Sequence, residues 1–206
     1  DAELIGAVNV VTFSKNGEMT GHNTDGIGWI KSLEEIGENP NGKRCLVLGA
    51  GGAARAIAVK LAQAEAEQIS IRNRSVEKAE KLSKYISDRI SKSKIDADGL
   101  QSLEEETKNF DLIINTTSVG MLGEKNRESS SLIQENWISE KSICSDAVYN
   151  PLETIFLQNA KRKGAKTLNG LGWLIHQGAF AWKLWTGVDM PIDVVRNTLL
   201  TELTKN

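Results

Sequence analysis

The stretch from Lys43 to Asn73, KRCLVLGAGGAARAIAVKLAQAEAEQISIRN, leaves this chain the least freedom. KRCLVL is a continuous apolar run of strand length, and EQISIRN reads as a second strand. Between them a turn of small residues, Gly49 to Ala54, opens a segment with the length and composition of a helix. Strand, helix and strand in that order make two parallel strands joined by a crossover. Strands this apolar are buried on both faces, so helices are expected on both sides of the sheet.

The flanking sequence extends the alternation. AVNVVTF and EMTGHNT, separated by SKNG, predict a β-hairpin turning near Asn16 and Gly17. From Thr24, the apolar residues Ile27, Ile30 and Leu33 recur at helical spacing as far as Gly37. Ser75 is a candidate cap for a helix through SVEKAEKLSKYISDRI, and Phe110 to Thr116 and SICSDAVY are further strands. In NPLETIFLQNAKRKG, Asn150 is expected to cap, Pro151 to take the first helical position, Glu153 to complete the box and Gly164 to end the helix. AKTLNG is the last strand, and Gly172 to Thr186 and Pro191 to Leu203 read as two closing helices. Residues 91–109 are polar and carry no clear period. The fold class is therefore α/β, a doubly wound Rossmann-like parallel sheet.

Composition narrows the partners. A net charge of -2 offers no basic field for nucleic acid. No apolar run reaches membrane-spanning length, and DAELIGAVNV lacks the charged-then-apolar order of a secretory signal. Cys45 and Cys144 lie inside apolar strands and read as reduced core thiols, which suggests the cytoplasm; no metal site is expected. The chain starts without Met, as a processed chain or a piece of a longer one would.

Gly49, Gly51 and Ala54 fit the spacing of a dinucleotide-binding turn, in the strand-to-helix context that turn needs. The first glycine makes the turn tight and the second lets a pyrophosphate approach the backbone, where the helix start supplies N–H groups and a favourable dipole. Where an NAD site places an acid on the ribose, this chain has Asn73, Arg74 and Ser75, with Lys78 about one turn on. These are donors, suited to the 2′-phosphate of NADP. Arg72 is left as a residue facing the other side of the strand.

GAVNV, GHNTDGIGW, LGAGGAARA, NRSVEKA, INTTSVGM, DAVYNPLET and NGLGWLIHQGAFAWKLWTG, in that order, strongly resemble the shikimate and quinate dehydrogenase family. The resemblance implies an α/β enzyme whose substrate and nucleotide domains flank a cleft. It implies NADP-linked, reversible reduction of 3-dehydroshikimate to shikimate. It divides the chain into residues 1–23, a hairpin remnant of the substrate domain; 24–170, the NADP-binding domain; and 171–206, helices returning to the substrate domain. Asp25 matches the family's catalytic aspartate, which would handle the hydroxyl proton as hydride moves. Read locally, it is equally an acid stabilised by a helix N-terminus. Asn9, Tyr149 and Gln177 match substrate contacts, and His176 is a neighbour of Gln177 rather than a catalyst. The cofactor set is Gly49, Ala50, Gly51, Gly52 and Ala53, then Asn73, Arg74, Ser75 and Lys78, then Asn115, Thr116, Thr117, Ser118 and Gly170.

The family's motif Asn-Val-Thr-x-Pro-x-Lys, whose Lys pairs with the aspartate, does not occur here, nor do the serines that hold the substrate carboxylate. The chain is thus expected to be the C-terminal portion of such an enzyme. Apolar side chains on the hairpin and tail, among them Trp173, Trp182 and Trp185, would then lie uncovered and favour a homodimer. Val10, Ser75, Asn169 and Trp173 depart from the family's usual residues. Quinate dehydrogenase and a non-catalytic NADP-binding module stand as alternatives.

Overall fold

The computed structural model describes residues 1–90, 92–123 and 130–205. A short helix α1 (Ala2–Ile5) precedes an antiparallel hairpin, β1 (Val10–Phe13) and β2 (Met19–His22), and then helix α2 (Asp25–Glu35). The expected unit follows as β3 (Arg44–Leu48), α3 (Gly52–Gln63) and β4 (Gln68–Arg72), then α4 (Val76–Ser87), β5 (Lys94–Asp98) and α5 (Leu103–Glu106). The second half is β6 (Leu112–Asn115), β7 (Ile143–Asp146), α6 (Ile155–Arg162), β8 (Lys166–Leu168), α7 (Gly170–Thr186) and α8 (Ile192–Leu203).

The last six strands form one parallel sheet in the order β5-β4-β3-β6-β7-β8. The chain runs outward from β3 in one direction and then in the other, so the order reverses between β3 and β6. A crevice therefore opens outside their carboxyl ends, where ligands bind in open α/β sheets. Alternation within the strands builds two cores. Cys45, Val47, Leu112 and Ile114 face α2 and α3 on one side, while Leu46, Leu48 and Ile113 face Phe156, Leu157 and Ala160 of α6 on the other. Burial pushes both cysteine thiols up, and both are unpaired.

Several sequence expectations need correction. Residues 94–98 are the edge strand β5, with Ile95 and Ala97 packed on the core and Ser70 Oγ donating to Asp96 (2.7 Å). Alternation over five residues beside polar neighbours gave too weak a signal. Helix α6 is capped by Thr154, not Asn150: Thr154 Oγ1 accepts from Leu157 N, and Pro151 and Glu153 lie in the bend before it. The chain needs residues 147–153 to cross the end of the sheet before the helix can start. Ser75 holds the cap position of α4 in extended geometry, yet its side chain makes no capping bond. Helix α7 begins at Gly170 rather than Gly172, because Asn169 Oδ1 accepts from Leu171 N (3.2 Å). Trp173 is only 8% exposed, whereas Trp182 and Trp185 are 44% and 62% exposed as expected. Helix α7 packs along α2 and carries the Trp173 indole into that contact.

Candidate active site

The glycine turn sits at the end of β3. Gly49 takes φ 113°, and a Cβ there would stand 2.5 Å from Thr116 Oγ1. Only glycine fits that approach. By contrast, among the described residues no atom beyond the adjoining backbone lies within 4 Å of where a Cβ on Gly51 or Gly52 would point, so the start of α3 opens on free space. The first N–H groups of a helix lack intrahelical acceptors, and this opening leaves them approachable by an anion.

Beside the turn, a cavity of about 330 Å³ is lined by Gly49, Arg72, Asn73, Arg74, Leu100, Thr117, Val119 and Leu132. The two arginines differ. Arg72 is 6% exposed and binds Glu106 through two bonds, Nε to Oε1 (2.6 Å) and Nη2 to Oε2 (2.7 Å), with Nη1 donating to Asp96 Oδ1 (2.7 Å). Arg74 is exposed at the mouth of the cavity, and Lys78 lies on the exposed face of α4. Asn73 Nδ2 donates to the Ser75 carbonyl (2.9 Å), which shapes the strand-to-helix corner.

The cleft continues along the sheet. Thr116, Thr117, Ser118, Ala147, Val148 and Tyr149 help line a second cavity of about 350 Å³. Asn115 ends β6, 3% exposed, and its Oδ1 accepts from Thr117 N (3.1 Å) and Thr117 Oγ1 (2.7 Å). It shapes the loop from beneath rather than lining the cavity.

A third cavity, about 370 Å³, gathers Asn9, Asp25, Ala147, Tyr149, Gly170, Trp173, Leu174 and Gln177. Four residues from four separate segments, Asn9, Asp25, Tyr149 and Gln177, thus share one wall, while Lys78 and Ser75 lie on none of the three cavities. Asp25 is the first residue of α2, and Asn9 Nδ2 donates to its Oδ1 (2.8 Å). The Asn9 oxygen accepts from Thr24 N (2.9 Å), so the amide orientation is set from both ends. Burial raises the Asp25 pKa above the ordinary carboxylate value, and the Asn9 bond only partly opposes it. Among the described residues, the second Asp25 oxygen has no partner.

Trp173 and Gly170 also make contacts that the sequence does not record. The Trp173 indole N–H donates to the Asp25 carbonyl (2.7 Å), which ties α7 to the first turn of α2. A Cβ on Gly170 would stand 2.2 Å from the Ala147 carbonyl oxygen, so the glycine is required by this backbone contact, although it also lines the cavity. His176 Nε2 lies 2.8 Å from Glu35 Oε1, away from the three cavities, as a neighbour rather than a site residue. Trp173 could have been suspected as a bulky aromatic three residues after a predicted cofactor glycine, Gly170.

The described residues hold no group of three or more His, Cys, Asp or Glu able to bind a metal, and no helix among them is long and apolar enough to cross a membrane. The family model for shikimate / quinate 5-dehydrogenase matches residues 31–138, and that for the shikimate 5′-dehydrogenase C-terminal domain matches residues 170–200. A curated relative, shikimate dehydrogenase (NADP(+)) of Methanocaldococcus jannaschii, is 42% identical over 205 residues, covering 100% of this chain and 71% of the relative. A solved Listeria monocytogenes shikimate 5-dehydrogenase, in complex with shikimate and NAD, superposes with a TM-score of 0.88 at 37% identity, covering 96% of this chain and 69% of that one. Quinate dehydrogenase from Corynebacterium glutamicum, in complex with NAD, also gives 0.88, at 27% identity and 97% and 70% coverage.

Proposed function

The chain belongs to the shikimate and quinate dehydrogenase family, and from that premise we propose that it catalyses the reversible NADP-dependent reduction of 3-dehydroshikimate to shikimate. The observation that carries the reading is the meeting of Asn9, Asp25, Tyr149 and Gln177 in one cavity, which shares Ala147 and Tyr149 with the cleft beside the glycine turn.

NADPH, when bound, supplies the hydride. Residues Gly49 to Ala53 would hold its pyrophosphate, a role the open space before Gly51 and Gly52 suits. Arg74, with Asn73, Ser75 and Lys78 beside it, would take the 2′-phosphate; Asn115, Thr116, Thr117, Ser118 and Gly170 would shape the nicotinamide end. Asp25 gives the substrate oxygen its proton in reduction and removes it in oxidation. Its raised proton affinity suits that exchange, since a general acid works best with a pKa nearer the working pH. Asn9 fixes one Asp25 oxygen and, with Tyr149 and Gln177, orients the substrate's hydroxyl groups.

In this reading, residues 24–170 are the nucleotide domain, while residues 1–23 and 171–206 serve the substrate side. A cytoplasmic location fits the buried free thiols. Initial rates of NADPH and NADH oxidation with 3-dehydroshikimate test the proposal, with nucleotide binding followed by tryptophan fluorescence. Turnover preferring NADPH supports it. Binding without turnover favours a non-catalytic module, and more efficient oxidation of quinate than of shikimate would reassign the substrate.

A further inference from the structure

Asp146 is a buried carboxylate that the proposed chemistry leaves unused. It ends β7, is 1% exposed, and is met by three uncharged donors. Asn115 Nδ2 (2.9 Å) and Val148 N (3.0 Å) donate to Oδ1, and Thr154 Oγ1 (2.6 Å) donates to Oδ2. A carboxyl group can accept at both oxygens, whereas an amide would turn an NH2 donor toward one of these groups.

Each donor controls a different segment. Asn115 organises the turn after β6, because its Nδ2 also donates to the Val119 carbonyl (3.1 Å) while its oxygen holds Thr117. Val148 N fixes the backbone immediately before Tyr149. Thr154 caps α6, and a Cβ on Gly120 would stand 3.2 Å from the Thr154 side chain, so the two segments touch there as well. Leu122 N closes the arrangement by donating to the Asn150 carbonyl (2.9 Å). These segments supply Thr117 to the cavity at the glycine turn and Tyr149 to the cavity around Asp25.

We propose that Asp146 is a positioning residue that locks segments 116–122 and 147–154 into one wall, so that Thr117 and Tyr149 keep a fixed relation across the cleft. The inference rests on the functional reading above, in which the nicotinamide end lies along that wall. Burying an ionised group among neutral donors costs free energy, so its presence calls for a role that an apolar residue could not fill. Burial accordingly pushes the Asp146 pKa up to about 6.

The test compares Asp146→Asn, Thr154→Val and Thr154→Ser in the full chain. Amide hydrogen exchange without ligand is the first readout, and NADPH and NADH affinity is the second. Asp146→Asn should speed exchange in both segments together while β3 and β4 keep their protection. It should weaken NADPH and NADH by the same factor, about tenfold, because none of the three donors to Asp146 belongs to the segment that carries Arg74. Thr154→Val should repeat both effects more weakly, and Thr154→Ser should retain wild-type behaviour. Loosening confined to one segment or spread evenly over the sheet would overturn the proposal, as would unchanged nucleotide affinity or a loss restricted to NADPH. A wild-type chain that binds neither nucleotide defeats the functional reading instead, while exchange still decides whether Asp146 locks the wall.

Discussion

Arg72 and Arg74 stand two residues apart at one strand end, and their surroundings give them opposite roles. Arg72 is enclosed by Glu106 and Asp96, so its charge is already matched inside the protein. Arg74 reaches the cavity mouth. Arg74→Ala should therefore weaken NADPH by about 1.5–3 kcal/mol, the scale of a charge-assisted hydrogen bond, with little effect on NADH; parallel titrations check it, and equal losses would remove the 2′-phosphate assignment. Asp25→Asn should lower kcat by about 10²–10⁴-fold, with NADPH affinity unchanged in the same preparation. Asp146 adds a pH effect. Its folded pKa, about 6, lies above the usual 3.8, so the native state binds more protons between those values. The contribution of Asp146 to stability is therefore greatest below pH 4 and falls as pH rises through 6, by about 3 kcal/mol in all. Denaturant unfolding at pH 4 and pH 7 should show the stability of the wild type dropping relative to Asp146→Asn by that order.

Among the elements, the contact of α2 with α7 determines the cavity around Asp25. A Cβ on Gly28 would stand 2.6 Å from Gln177 N, so the two helices cross at backbone contact. Gly28→Ala should destabilise the fold by about 1–3 kcal/mol and raise KM for shikimate, because α7 must move and Gln177 and Trp173 move with it. Thermal unfolding together with substrate saturation checks this, and an unchanged KM would argue against the role of Gln177. The helix periods of α2 and α7 were legible in the sequence, since each buries one face. Their pairing was not, because nothing local records that Gly28 lies against residue 177. The edge strand β5 escaped for a related reason: its partner Ser70 and the ion pair from Asp96 to Arg72 come from another strand.

Across the whole molecule, the hairpin and the far end of α7 leave one apolar face open. Phe13 and Met19 are 71% and 72% exposed, and Trp185 donates its indole N–H to the Val11 carbonyl (3.0 Å), which joins helix and hairpin. A face of this kind favours association, so sedimentation at rising concentration should show self-association that Phe13→Lys reduces. A concentration-independent monomer would remove that expectation.

The sequence by itself determined the layered α/β sheet and the glycine turn followed by the donors Asn73 and Arg74, and its motif order singled out Asp25 as the candidate acid. These depend on periods, turn chemistry and motif order, all written locally along the chain. Only the tertiary structure decided that Arg72 is enclosed, that Trp173 is buried against α2, that Thr154 rather than Asn150 caps α6, and that Asp146 gathers three donors. Each depends on a hydrogen bond or a backbone contact between residues that the fold alone brings within reach.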